Sequence, residues 1–259
     1  MEKHIYPIDK PKSPFVYIAG SGPGDPGLLT IKTYRLLTSI ADCVVYDRLI
    51  GAKILALIPD NVTKIYAGKS CRKHEMTQQE INQCLVDEAN KGQVVVRLKG
   101  GDPFIYGRGG EEAEFLVDHQ IPFEIVPGVN AADGCCAYQG IPLTHRGLAT
   151  SVRFITGHQQ KGVASHLDWS KLVDAETTLV IYMGLTHLEM ICAELIKHGL
   201  AKNTPAVIIQ NGTTPNEKAC FATLETLAKV KESEGLEPPC IVVIGKVVSM
   251  AKKIKGCHD

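Results

Sequence analysis

No run of about 18 uninterrupted apolar residues occurs anywhere in the 259-residue chain, so no membrane-spanning helix is expected. The opening stretch MEKHIYPIDKPKSP is charged and broken by proline, with no apolar segment of the kind a secretion signal needs. A charge bias is missing too: Lys plus Arg and Asp plus Glu both number 28, so no whole-molecule field favours nucleic acid or an anionic membrane. The nine histidines form no HExxH or other metal-binding spacing, and no metal site is expected. Cysteine is plentiful, but its nine copies are odd in number, contain no CxxC pair and mostly sit in apolar runs. They read as reduced, buried small hydrophobes of a cytosolic protein. Internal repeats and low-complexity tracts are also absent.

What is present is a core. Hydrophobic residues make up 44% of the chain, enough for one large α/β domain or two smaller ones. Residues 1–14 read as a flexible arm. After it, apolar β-branched runs alternate with amphipathic helical stretches, the pattern of a parallel sheet. Strands are expected at 15–19, 43–46, 62–67, 93–98 and 122–126. The clearest helix between them starts at the capping box TQQE from Thr77, turns Ile81, Cys84, Leu85 and Ala89 to one face, and stops at Gly92. PGVN at 127–130 breaks the pattern, and a short helix, AADGCCAYQ, leads to the loop IPLTHRG. The expected domains are therefore 15–127 and 151–259, joined by a connector at 128–150. In the second, strands are expected at 151–156, 178–183, 206–210, 218–223 and 240–248, with a helix opening on a second capping box, THLE at 186–189, and ending at Gly199. Only NGTTPNE separates two of these strands, too little for a helical crossover, so that pair is expected to be antiparallel and the second sheet mixed.

Several segments carry chemistry. GSGPGDPG at 20–27 joins the first strand to a helix, with Asp25 placed as N-cap and Pro26 at the first helical position. Backbone N–H groups at such a turn bind anions or a polar cofactor. Gly22, Gly24 and Gly27 satisfy GxGxxG, and Asp47 follows 20 residues after Gly27, so by spacing this is a dinucleotide fingerprint. Pro23 and Pro26 argue against it, because each deletes an N–H donor and stiffens a loop that has to wrap a pyrophosphate. RLKGGDPFIYGRGGEE at 97–112 also follows a strand and is expected at the same carboxyl edge of the sheet, where open α/β sheets bind ligands. Asp47 and Lys69 stand just past strands as well. They suit a proton acceptor and donor, and read equally well as an ion pair or as two solvated strand ends. Basic residues recur at these strand ends and in the connector: Arg48, Lys69, Arg72, Lys73, His74, Lys99, Arg108, His145, Arg146, Arg153 and His158. In a neutral chain this local bias points to a polycarboxylate ligand, and Arg48, Arg72, His74, Arg108 and Arg146 are the candidate contacts.

With GSGPGDPGLLT, ADCVVYDRL, AGKS, QQEIN, VVRLKGGDPFIYGRGGEE, IPFEIVPG, AYQGIPLTHR, TGH, LDW, TLVIYMG, NGT and IGKVV in this order, the chain resembles the tetrapyrrole methylases, and within them those that methylate uroporphyrinogen III. The resemblance runs from Val16 to about Val248. It implies two α/β domains with the active site in the cleft between them, in a homodimer. It also implies S-adenosylmethionine-dependent methylation of uroporphyrinogen III at C2 and C7, giving precorrin-2 and S-adenosylhomocysteine for sirohaem and cobalamin biosynthesis. Cofactor contacts are implied at Pro23, Gly100, Gly101, Asp102, Ile105, Asn130, Ala131, Met183 and Gly212, with Asp47 as proton acceptor and Lys69 as donor. The chain departs from the family pattern at Asn130, where Thr is usual, and at Ser70, where Arg is common and Arg72 stands nearby. The dehydrogenase and ferrochelatase region fused to some relatives has no counterpart, so the chain is expected to methylate but not to oxidise precorrin-2 or insert metal.

Overall fold

In the computed structural model, residues 9–12, 14–68, 76–157 and 167–255 are described. The chain divides into two compact units between Asn130 and Ala131.

The first unit holds five parallel strands: β1 (Phe15–Gly20), β2 (Cys43–Tyr46), β3 (Thr63–Tyr66), β4 (Val94–Lys99) and β5 (Phe123–Val126). They lie in the order β3-β2-β4-β1-β5. Four helices connect them: α1 (Ile31–Arg35), α2 (Ala52–Leu55), α3 (Gln78–Asn90) and α4 (Gly109–Asp118). The inner strands are largely apolar on both faces because both are covered, the exceptions being Arg97 and Lys99 on β4. Tyr17, Ala19, Val44, Val94, Val96 and Leu98 pack with Leu36, Leu37, Ile40 and Ile54 on one side. Val16, Ile18, Cys43, Val45 and Val95 pack with Ile81, Leu85, Ala89 and Leu116 on the other. Connections that run in opposite directions along the strand order place their helices on opposite faces, since crossovers are right-handed. β1 and its neighbour β4 therefore lead away to different sides of the sheet.

The capping box at Thr77 forms: its side chain accepts from Glu80 N at 3.2 Å, and the Glu80 carboxylate accepts from Thr77 N at 2.6 Å. The GSGPGDPG loop differs from its expected form. Asp25 caps only a 3-10 turn, Pro26–Leu28, and the α-helix has its own cap at Thr30, whose hydroxyl accepts from Thr33 N at 3.1 Å. α1 then loosens into a π-helical turn, Leu36–Ile40, that drives Leu36, Leu37 and Ile40 into the core.

The second unit holds β6 (Ser151–Thr156), β7 (Thr177–Tyr182), β8 (Pro205–Gln210), β9 (Lys218–Thr223) and β10 (Cys240–Ile244) in the order β6-β7-β10-β8-β9. β6 and β7 are parallel, and β10 is antiparallel to both β7 and β8. The β8–β9 pair is antiparallel, as the short NGTTPNE connection requires. Around this mixed sheet lie α5 (Ala131–Tyr138), α6 (Leu188–Lys197), α7 (Leu227–Ser233) and α8 (Met250–Lys255). α6 and α7 cover one face, and α5 with the chain after β10 covers the other.

Two sequence expectations are corrected here. THLE does not cap α6: a 3-10 turn, Leu185–His187, buries Leu185 and delays the helix to Leu188, with no side-chain cap. β10 stops at Ile244 instead of running to 248, because Gly245 takes φ 151° and the chain winds into a 3-10 turn at Lys246–Ser249.

Among the described residues no helix is long and apolar enough to cross a membrane. Cys43, Cys135 and Cys136 are buried free thiols whose pKa burial pushes up to about 12. Thiolate is the reactive form, so these three are expected to escape iodoacetamide at pH 8 in the native protein and to be alkylated only after unfolding, as read by peptide mass mapping.

Candidate active site

In the first unit three strand ends are drawn together in direct backbone contact. Gly22 and Gly101 form a two-residue antiparallel bridge: Gly101 N donates to Gly22 O at 2.8 Å and Gly22 N to Gly101 O at 3.2 Å. A Cβ built on Gly20 would stand 2.4 Å from Gly101 O and 2.7 Å from Gly128 Cα. One on Gly128 would stand 2.3 Å from the same oxygen. The loops after β1, β4 and β5 thus meet at separations only glycine permits. Asp102 locks the junction, one oxygen accepting from Phe104 N at 2.8 Å and the other from Gly128 N at 3.0 Å. Because β1 and β4 send their connections to opposite faces, this is also the switch point of the sheet, where such folds bind ligands.

The bridge removes the dinucleotide reading of GSGPGDPG. Gly22 already commits its N–H to Gly101 and Gly27 donates to Asp25 at 2.7 Å, while Pro23 and Pro26 have none. A separate 3-10 turn, not a helix N-terminus, follows the glycines. Too few oriented donors remain for a pyrophosphate.

The structure brings Pro23, Gly100, Gly101, Asp102 and Ile105 to this edge, all of them partly exposed. Asp47 follows β2 at the same edge, with its carboxylate accepting from Leu49 N at 3.0 Å. Arg48 beside it is exposed. Arg108 is exposed at the N-cap of α4 in a left-handed conformation (φ 59°), and its guanidinium forks onto Glu111 at 2.8 and 2.5 Å. Lys69, Arg72, Lys73, His74 and His158 lie outside the described residues.

Lys99 belongs to a different environment from the one its place in the basic set suggested. Strand alternation turns it and Arg97 inward under α4, where each is 3% exposed. Both meet Glu112, which is fully buried: Arg97 Nε donates to Glu112 Oε1 at 3.0 Å and Lys99 Nζ at 2.9 Å. Gln78 donates to the same oxygen at 3.2 Å. Burial pushes the Lys99 ammonium below its ordinary pKa and the Arg97 charge adds to this, while Glu112 and Asp47 oppose it. Lys99 is therefore no substrate contact. Glu112 itself escapes a reading by residue type, but it stands four residues before Leu116, the spacing of one helix face, and Leu116 is in the core.

The second unit gathers another group. β6, β7 and β8 point the same way, so Met183 after β7 and Gly212 after β8 lie at one edge with β10 between them. The first turn of α5 joins them: Ala132 N donates to the Tyr182 hydroxyl at 3.0 Å, and a Cβ on Gly212 would come within 2.2 Å of Cys135 Sγ. Met183 and Thr213 take φ of 52° and 62°, conformations costly for a bulky or β-branched residue, and Asn211 takes 50°, which asparagine tolerates. Glu217 holds the Asn211–Thr213 turn by accepting from Thr213 N at 2.6 Å. Strain upheld in this way is characteristic of ligand sites. Ala131 belongs to this group and Asn130 directly precedes it. Arg146 does not: it sits in the turn His145–Ala149 leading into the amino end of β6.

Gly128→Ala is expected to destabilise the first unit by about 1–3 kcal/mol, since the added methyl meets backbone that cannot yield. It should also abolish ligand binding at this edge, as followed by urea denaturation and titration calorimetry.

Known proteins bear on these two groups. A uroporphyrin III C-methyltransferase from Thermus thermophilus is 40% identical with a TM-score of 0.75, covering 90% of this chain and 92% of that one. The same protein is known in complex with S-adenosyl homocysteine. A cobalt precorrin-4 methyltransferase of cobalamin biosynthesis is 26% identical with a TM-score of 0.81, over 91% of this chain and 96% of that one. A sirohaem synthase of Methylococcus capsulatus is 50% identical over 246 residues, which are 95% of this chain and 52% of the relative. The chain thus spans about half the length of the curated relatives it matches. Residues 16–228 match the tetrapyrrole (corrin/porphyrin) methylases, and with that extent of agreement the chain belongs to this family.

Proposed function

We propose that the protein transfers methyl groups from S-adenosylmethionine to C2 and C7 of uroporphyrinogen III, giving precorrin-2 and S-adenosylhomocysteine, and that it works as a homodimer. The observation that carries this reading is the junction of Gly20, Gly101 and Gly128, a backbone contact that fixes the loops after β1, β4 and β5 at the switch point of the sheet, with Asp47 at the same edge. The likeness to a uroporphyrin III C-methyltransferase known with S-adenosyl homocysteine supports both substrate and donor.

The residues fit such a donor. Asp102 and the partly exposed backbone at Gly100 offer polar partners in the first unit, with Gly101 as a packing contact beside them and Pro23 and Ile105 as apolar walls. Asn130 supplies a side-chain amide, and Ala131, the half-exposed Met183 and the turn at Gly212 are the contacts proposed beyond it. When bound, S-adenosylmethionine supplies a sulfonium-activated methyl group. What remains for the protein is to hold an electron-rich ring carbon in line with that methyl and to take up the proton the ring system then loses. Positioning therefore carries most of the acceleration. Asp47 is the proposed proton acceptor and Lys69 the proposed donor. Arg48 and Arg108, with Arg72 and His74, are proposed to hold the acetate and propionate groups, and Arg146, which stands apart from the Met183–Gly212 edge, to meet an outlying one of them.

Incubation with S-adenosylmethionine and anaerobic uroporphyrinogen III is expected to add two methyl groups by mass spectrometry; a product without added methyls refutes the reading. Calorimetric titration should give binding of S-adenosylhomocysteine and none of NADH. Asp47→Asn, folded and still binding S-adenosylhomocysteine, is expected to lose about 100-fold or more in turnover, the usual contribution of a positioned base. A second reading, methylation of a later corrin intermediate, draws on the likeness to the cobalt precorrin-4 enzyme. Offering precorrin-4 in parallel separates the two.

A further inference from the structure

The mechanism leaves one cluster unused. Arg97, Lys99 and Glu112 bring two cations and one carboxylate into a space with almost no solvent. Burying charge in this ratio is costly unless a fourth group balances it. Glu112 accepts all three of its bonds on Oε1, and its Oε2 has no partner among the described residues. The three-fold contact on one oxygen fixes the near end of the Arg97 guanidinium through Nε. Its Nη1 lies 3.4 Å from Val45 O and 3.3 Å from Leu98 O, which fixes the plane of the group. One nitrogen is left, and Nη2 stands 3.6 Å from Asp47 Oδ2.

The register explains why this nitrogen reaches Asp47. Val45 on β2 pairs directly with Arg97 on β4, and Asp47 follows two residues later on the same face of a parallel neighbour. Asp47 is 28% exposed, so its carboxylate lies at the boundary between solvent and the buried cluster. Its Oδ1 is held by Leu49 N at 3.0 Å and its Oδ2 faces the guanidinium. With one oxygen tied to its own turn and the other facing a fixed cation, the carboxylate has a defined direction.

We infer that Arg97 is a positioning residue for the methyl-transfer reaction: clamped by Glu112, it aims the Asp47 carboxylate at the substrate. The inference rests on the reading of Asp47 as the proton acceptor. Glu112 acts one step further back, by setting the orientation of Arg97. Lys99 shares the Glu112 oxygen and keeps it from rotating out of reach. A lysine at position 97 would keep the charge but lose the fork that makes the three contacts at once.

The test compares Arg97→Lys, Asp47→Asn and the double variant, each checked for folding by circular dichroism and for S-adenosylhomocysteine binding by calorimetry. Arg97→Lys is expected to lower kcat by about 10- to 100-fold, the effect of misplacing a reacting group by about 1 Å, with the KM for S-adenosylmethionine within about twofold. In the Asp47→Asn background the same change is expected to cost nothing further, because no base remains to be aimed. Losses that multiply in the double variant overturn the inference, as does a fall in cofactor affinity that matches the fall in turnover, since either marks a general structural role. Should Arg97→Lys fail to fold, Glu112→Gln, nearly identical in shape, enters the same comparison with the same expected non-additivity. Undiminished turnover in Asp47→Asn alone refutes the acid–base reading beneath the inference, an outcome distinct from multiplying losses.

Discussion

Three peptide backbones meeting where no Cβ fits is the constraint on which the first unit's chemistry depends. Gly20, Gly101 and Gly128 end or follow three neighbouring strands, and their contact sets how far each loop can travel before it turns. The Gly22–Gly101 bridge, the Asp102 contacts to both loops and the Thr33 hydroxyl donating to Gly20 O at 3.1 Å all sit around that contact. A scaffold pinned in this way is ordered before any ligand arrives, and it lowers the entropy that binding has to overcome. The second unit reaches a comparable rigidity by another route. There left-handed residues held by the α5 helix and by Glu217 add to close glycine contacts, Gly157 against Gly184 Cα and Gly212 against Cys135.

The architecture was largely legible because it follows from period and loop length. Apolar β-branched runs separated by helical stretches gave a parallel sheet, and a seven-residue connection forced an antiparallel pair. TQQE could be read as a cap since both partners of a capping box are local in sequence. THLE has the same T-x-x-E spacing, yet burial of Leu185 wound the preceding turn differently, a tertiary effect that no four-residue pattern contains. The 3-10 turn after Asp25 escaped for a similar reason, because the α-helix takes a separate cap at Thr30, five residues on, whose hydroxyl accepts from Thr33 N.

At the site, the sequence singled out the loops but misread what one of their side chains does. Residue type alone placed Lys99 in the basic set whose clustering pointed to a polycarboxylate ligand. Its position two residues from Arg97 on a strand buried on both faces made it an interior group, and the neutralising Glu112 came from a helix whose inward face includes a charged residue. The strained conformations at Met183 and Thr213 had no sequence signal, since neither is a glycine and their φ values are imposed by the surrounding packing, whereas Asn211–Gly212 is an ordinary turn pair.

The buried charges have a consequence for how the sheet is assembled. β4 is central, with apolar residues facing both ways, so hydrophobic burial alone distinguishes weakly between its correct placement and one shifted by a residue. A shift would turn Arg97 and Lys99 toward the side packed by Leu36, Leu37 and Ile54, an apolar cluster with no carboxylate to receive them, and would set Val96 and Leu98 against Glu112. Both errors strand charge without a partner, which is far more costly than a misplaced methyl group. The three charged side chains therefore work as a key for strand placement. The alignment that pairs them is also the one that brings Gly101 against Gly20 and Gly128.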